Sequence, residues 1–234
     1  MNILVTGASN GIGYQIVCQL AKLNNVNIIA LSRNKKKLEI LKNECKVLNN
    51  HANIIPFCFD LTEFDLKYES IIIEIKKINS LDILINNAGY IVNKPFDEFS
   101  ENEINDIFKV NFFAPAKLIS VLLPYFNVNA HIINIGSMGG FQGSQKFKGL
   151  SYYSASKAAL ANLTECLAEE LKDSKIFINC LALGAVQTEM LKKAFPDFNA
   201  PLSDLQMAEF IAYFALNGHH YFNGKIIPVA LNNP

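Results

Sequence analysis

Ile3-Leu4-Val5-Thr6-Gly7-Ala8-Ser9-Asn10-Gly11-Ile12-Gly13 begins with three apolar residues and runs at once into a glycine-rich turn, after which a helical pattern follows. The apolar run is too brief for anything but a buried strand. A strand that turns directly into a helix is the first half of a βαβ unit. Gly7 allows the tight turn off the strand, Gly11 lets the main chain approach a bound pyrophosphate, and Gly13 lets the helix pack closely on the sheet. Ser9, Asn10 and Ile12 stand between the glycines and share that cofactor-facing loop. Free amides at the start of the helix would face phosphate. The spacing is Gly-x-x-x-Gly-x-Gly, distinct from the general dinucleotide fingerprint Gly-x-Gly-x-x-Gly.

Outward from this loop, strand-like runs near Ile28–Leu31, Ile54–Phe59, Ile83–Asn86, His131–Gly136, Ile176–Leu181 and Ile226–Val229 alternate with amphipathic segments. Helices are expected near Gly11–Leu23, Lys35–Leu48, Leu66–Ile78, Glu101–Phe126, Tyr153–Leu171 and Ser203–Leu216. The alternation predicts an α/β fold, a single-domain, Rossmann-like, doubly wound parallel sheet with helices on both faces, spanning residues 1–234. Pro115 falls inside the long segment and is expected to kink it just after Asn111. Ligands of open α/β sheets bind beyond the carboxyl ends of the strands, and Gly7, Asn86 to Gly89, Ser137 and Gly184 all follow expected strands.

With 21 basic and 21 acidic residues the chain is formally neutral, which argues against a nucleic-acid partner. No continuous apolar run reaches membrane-spanning length and the chain enters a strand at once, so no membrane association and a cytoplasmic location are expected. The 5 cysteines lack Cys-x-x-Cys spacing and read as reduced core residues, and the 4 histidines form no metal-ligand pattern.

In Tyr152-Tyr153-Ser154-Ala155-Ser156-Lys157, four-residue helical spacing puts the Tyr153 phenol and the Lys157 ammonium on one face. A phenol with an ordinary pKa of about 10 becomes a usable acid or base when a fixed cation favours its phenolate. Tyr152 projects from a different side of the helix.

Thr6 to Gly13, Asn86-Asn87-Ala88-Gly89, Ser137 and Tyr153-x-x-x-Lys157, in this order and at these separations, resemble the classical short-chain dehydrogenase/reductase family across nearly the whole chain. The resemblance implies interconversion of a carbonyl and an alcohol by hydride transfer, with Asn111, Ser137, Tyr153 and Lys157 as a catalytic tetrad. Tyr153 would exchange the proton, Ser137 would hold the same oxygen, Lys157 would lower the tyrosine pKa and hold the cofactor ribose, and Asn111 would sit where main chain supports a proton relay. It also places Asp60 and Leu61 by the adenine, Asn87, Ala88 and Gly89 beside the adenosine and nicotinamide ribose, and Val186 and Thr188 at the carboxamide. A turn-forming role for Asp60 stays open, and Leu183 replaces the family's usual proline before Gly184. The last strand is followed by Ala230-Leu231-Asn232-Asn233-Pro234 where the family has Asp-Gly-Gly.

At the end of the second strand, Ser32 offers no carboxylate to repel a ribose 2′-phosphate and Arg33 can pair with one, so NADP(H) is favoured with NAD(H) possible. Asn10 stands where NADP-dependent relatives often carry a basic residue, and Arg33 is alternatively a solvated loop residue beside Lys35, Lys36 and Lys37. Met190 to Phe198 falls at the family's substrate lid. The partners implied are a small-molecule carbonyl or alcohol and further copies of the chain, as a homodimer or homotetramer joined through Glu101–Phe126 and Tyr153–Leu171. A non-catalytic NADP(H)-binding regulator of the same fold is the alternative.

Overall fold

The computed structural model describes residues 1–231, at 64–67 by backbone alone. The chain runs β1 (Asn2–Thr6), α1 (Gly11–Leu20), β2 (Asn27–Ser32), α2 (Lys35–Leu48), β3 (Asn53–Cys58), α3 (Phe64–Lys77) and β4 (Leu81–Asn86). It continues through α4 (Glu101–Phe108), α5 (Ala114–Leu122), β5 (Phe126–Ser137), α6 (Ser151–Glu170) and β6 (Phe177–Leu183). The last elements are β7 (Val186–Gln187), α7 (Glu189–Ala194), β8 (Leu202–Ser203), α8 (Asp204–Asn217) and β9 (Ile226–Val229). Seven strands form one parallel sheet in the order β3-β2-β1-β4-β5-β6-β9.

Alternation along each strand builds two cores. Ile3 and Val5 face a cluster with Ile16, Leu38 and Ile211 from α1, α2 and α8, while Leu4 points the other way, to Leu118, Ile119 and Ile178. Helix starts are fixed locally: Asn34 caps α2 by accepting from the Lys37 amide, and Ser100 with Glu103 and Ser203 with Gln206 form capping boxes on α4 and α8. Strand order reverses between β1 and β4, so the loops leaving their carboxyl ends flank the crevice where such sheets take ligands.

The single helix expected over Glu101–Phe126 is four pieces ending at Tyr125, since a π-helical turn at Lys109–Phe113 separates α4 from α5 and a 3-10 turn at Leu123–Tyr125 closes the run. Pro115 supplies the reason. Having no N–H, it can donate neither to Asn111 four residues back nor to Val110 five back, and the Ala114 amide instead reaches Lys109 O. The helical ribbon Glu101–Tyr125 has the length and composition of a membrane span, but Ile107, Leu118, Ile119 and Leu122 are buried in the fold. The apolar side of α5 therefore covers the sheet, and in Glu101–Phe126 and Tyr153–Leu171 only Phe113 is, among the described residues, a large apolar side chain left widely exposed.

Other expectations shift. The first helix ends at Leu20, three residues early; β5 begins at Phe126, five residues before His131; and β7, α7 and β8 form between Val186 and Ser203, where no regular element was anticipated. Cys18, Cys45 and Cys180 are buried, but Cys58 and Cys166 are exposed, so the cysteines are not uniformly core residues. Both lie at element surfaces, Cys58 at the end of an edge strand and Cys166 on the outer side of α6. Of the C-terminal run, Ala230 packs on Gly184, while residues 232–234 lie outside the described residues.

Candidate active site

Gly7 and Gly11 have φ of +69° and +51°, left-handed values that favour glycine, and a Cβ on Gly7 would also lie 2.9 Å from Ala88 Cα. Asn87 locks this loop to the end of β4. Its side-chain amide donates to Thr6 O at 3.0 Å, and the Asn87 and Ala88 amides both donate to Thr6 Oγ1 at 3.0 Å. A Cβ on Gly13 would lie 2.4 Å from both Asn87 Nδ2 and Gly7 O, which is why α1 needs glycine at its third residue. Asn87 is thus a clamp whose amide is spent on the fold, leaving main chain and Gly89 to face a ligand.

At Gly89 the site converges. A Cβ placed there would stand 3.6 Å from Asn111 Oδ1, 3.8 Å from Lys157 Nζ and 3.9 Å from Met190 Cε. Asn111 is fully buried on the π-helical turn and holds Tyr90 from both sides, accepting from its amide at 2.8 Å and donating to its carbonyl at 2.9 Å. It also donates to Ser156 Oγ at 3.0 Å, and Ser156 donates to Tyr153 O at 2.7 Å. Lys157 is buried and donates to Ile135 O at 2.7 Å. Burial pulls its ammonium down to about 8, with the neighbouring Cys180 opposing.

The Tyr153 phenol is buried within the electrostatic reach of Ser137, whose Oγ accepts from the Gly139 amide at 3.1 Å. Burial raises the phenol above its ordinary 10, and the Ser137 hydroxyl only partly opposes this. Desolvation is the dominant influence on the phenol, and the Lys157 ammonium is turned to the Ile135 carbonyl. Tyr152 does project elsewhere: its ring stacks on Phe96 with centroids 5.3 Å apart and meets Phe99 edge-on at 4.9 Å.

At the other end of the crevice, Ser32 donates to Ser9 Oγ at 2.7 Å. Arg33 is 70% exposed with its guanidinium 4.0 Å from Asp60. One Asp60 oxygen is committed to the turn, accepting from the Thr62 amide and hydroxyl at 2.9 Å each, and the Leu61 side chain is buried in the core. Val186 is likewise a core residue, whereas Thr188 caps α7 and would lie 3.4 Å from a Cβ on Gly11, so the two loops meet over the crevice. Ile12 is partly buried against the first core.

Residues 1–199 match the family model described as short chain dehydrogenase. The chain belongs to the short-chain dehydrogenase family. It is 32% identical to a fatty acyl-CoA reductase of Acinetobacter baylyi over 90% of this chain and 71% of that one. It is 26% identical to the 3-oxoacyl-[acyl-carrier-protein] reductase of Thermotoga maritima, over 97% and 94%. A short chain dehydrogenase from Burkholderia cenocepacia, solved in complex with NADP, shares the fold with a TM-score of 0.85 at 23% identity, over 97% of this chain and 95% of that one.

This short-chain dehydrogenase is therefore an oxidoreductase acting on CH–OH and C=O groups with a nicotinamide dinucleotide as hydride carrier. The residues fit such a group, because Gly7, Gly11 and Gly89 leave main chain bare along the crevice and cationic side chains stand at its far end. Ser156 and Tyr90, the hydrogen-bond partners of Asn111, escaped the reading of the sequence. Ser156 alone carried a signal, lying three residues beyond Tyr153 on the same helix.

Proposed function

We propose that this short-chain dehydrogenase is an NADPH-dependent carbonyl reductase in which Tyr153 is the general acid. The observation that carries this reading is the meeting of Asn111 Oδ1 and the buried Lys157 ammonium at the bare main chain of Gly89, with Lys157 one helical turn beyond Tyr153 on α6. A nicotinamide held in the crevice would supply hydride to a carbonyl carbon. Ser137 then stabilises the charge developing on oxygen, and Tyr153 gives that oxygen a proton. Asn111 keeps the geometry by fixing Tyr90 and, through Ser156, the Tyr153 backbone. Lys157 is a positioning cation that also binds the ribose. Ser32 and Arg33 favour the phosphorylated cofactor, and Met190, reaching toward Gly89, gives the substrate side an apolar wall. The acyl-CoA and oxoacyl reductase relatives support a carbonyl on an acyl chain.

The test is NADPH oxidation followed by absorbance over ketones, 3-oxoacyl thioesters and keto sugars. On the best substrate, Tyr153→Phe lowers kcat by about 10²–10⁴ and Ser137→Ala by about 10²–10³, both with NADPH binding retained. Tyr152→Phe, which removes a hydroxyl from an aromatic cluster outside the site, stays within about threefold of the parent. A dead Tyr152→Phe beside an active Tyr153→Phe overturns the assignment.

A further inference from the structure

Loop position 10 carries an asparagine, yet a cation stands there. Lys37, in the first turn of α2, donates from its ammonium to Asn10 Oδ1. The same ammonium lies 3.9 Å from Glu189, the first residue of α7. Ser9 and Asn10 form the wall between two hollows: one continues to Ser32, Arg33 and Lys36, the other to Gly11, Tyr14 and Lys37. An anion at that wall is thus flanked by Arg33 on one side and Lys37 on the other, with the Ser9 and Ser32 hydroxyls between them.

We propose that Lys37 is a cofactor-specificity residue that binds the ribose 2′-phosphate together with Asn10, and that Glu189 competes with the phosphate for it. This rests on the dinucleotide reading above. A lysine suits the task because its ammonium is a compact charge on a flexible stem and can swing from carboxylate to phosphate. The Lys37 and Glu189 side chains are 39% and 69% exposed, so their pair is weak and exchanges readily. A phosphate near the second pKa of about 6 carries close to two charges at neutral pH and outcompetes one carboxylate. Because Glu189 opens α7, transfer of Lys37 to phosphate also frees the start of the segment over the crevice.

Calorimetric dissociation constants for NADPH, NADH, 2′,5′-ADP and 5′-AMP decide this on the intact protein, Lys37→Met, Lys37→Arg and Glu189→Gln, without reference to turnover. Lys37→Met should weaken NADPH and 2′,5′-ADP about tenfold while NADH and 5′-AMP stay within about twofold, as for loss of one charge-assisted contact. Lys37→Arg should keep most of the preference. Glu189→Gln should tighten 2′,5′-ADP severalfold and leave 5′-AMP unchanged. Equal weakening of all four ligands in Lys37→Met would make Lys37 a loop tether, and no change in any would exclude it from the site; either overturns the proposal. An unaltered 2′,5′-ADP constant in Glu189→Gln overturns the competition. If the parent protein binds none of the four ligands, the dinucleotide reading itself fails, which is a different result from binding without discrimination.

Discussion

His131 on β5 is 1% exposed, and both ring nitrogens are used in one neutral tautomer. Nδ1 faces Ala215 O at 3.0 Å and must donate, which leaves Nε2 to accept from Asn179 Nδ2 at 3.1 Å. A second ring proton would point at an amide donor, and His219 packs 5.5 Å away. Burial, aided by His219 and His220 and opposed by the Ala215 carbonyl, lowers the His131 pKa to about 4. The sign follows: the unfolded chain takes the proton near pH 6.5 and the folded one does not, so stability is complete above 6.5 and falls as pH drops toward 4. Between pH 7 and 4.5 this group should remove about 2–3 kcal/mol from the unfolding free energy, read by urea titration. His131→Gln, which cannot be protonated, should show a pH dependence flatter by that amount; an unchanged slope rejects the assignment. Nothing in the sequence marked His131, because its partners come from β6 and α8, some 48 and 84 residues away. Tyr153 and Lys157 were legible because their relation is local, four residues on one helix.

Elements built from local signals were likewise readable, and those held by distant contacts were not. Residues Lys35–Leu48 form the expected helix end to end, with an asparagine cap and an apolar stripe of Leu38, Leu41 and Cys45. The short α7 carries no such periodicity; it is tied down from outside, by Lys37 near Glu189 at one end and by Asn93, whose Nδ2 donates to Ala194 O at 2.8 Å, at the other. Gly149 holds that second tie in place. Its φ is +82°, a Cβ there would overlap Asn93 Oδ1 at 1.9 Å, and its carbonyl accepts from the Lys94 amide at 3.2 Å. Gly149→Ala should therefore push Asn93 off α7, cost about 1–3 kcal/mol in urea unfolding, and raise the substrate KM with the NADPH dissociation constant unchanged. Gly143, also at positive φ (+79°) but with nothing within 4 Å, is the control: Gly143→Ala carries the backbone strain without the collision and should leave KM alone.

At the scale of the whole molecule, one sheet joins every part of the site. The glycine loop follows β1, Asn87 to Gly89 follow β4, Ser137 ends β5, and Gly184 follows β6, and these four strands are adjacent in the order β1-β4-β5-β6. The alternation of strand-like runs with amphipathic segments was enough to foresee the parallel sheet, whose central strands are apolar on both faces and feed both cores. Because both cores share those strands, neither layer can melt while the other stays packed, so a single cooperative unfolding transition is expected over the described residues. Ligand bound across loops from several strands stabilises only the folded state. NADPH at 100 times its dissociation constant should therefore add about 2.7 kcal/mol, or roughly 5–10 °C in Tm for a chain of this size. Scanning calorimetry with and without NADPH reads both quantities. Two resolved transitions, only one of them shifted by NADPH, would mean that the chain folds in separate units and that the cofactor crevice belongs to one of them alone.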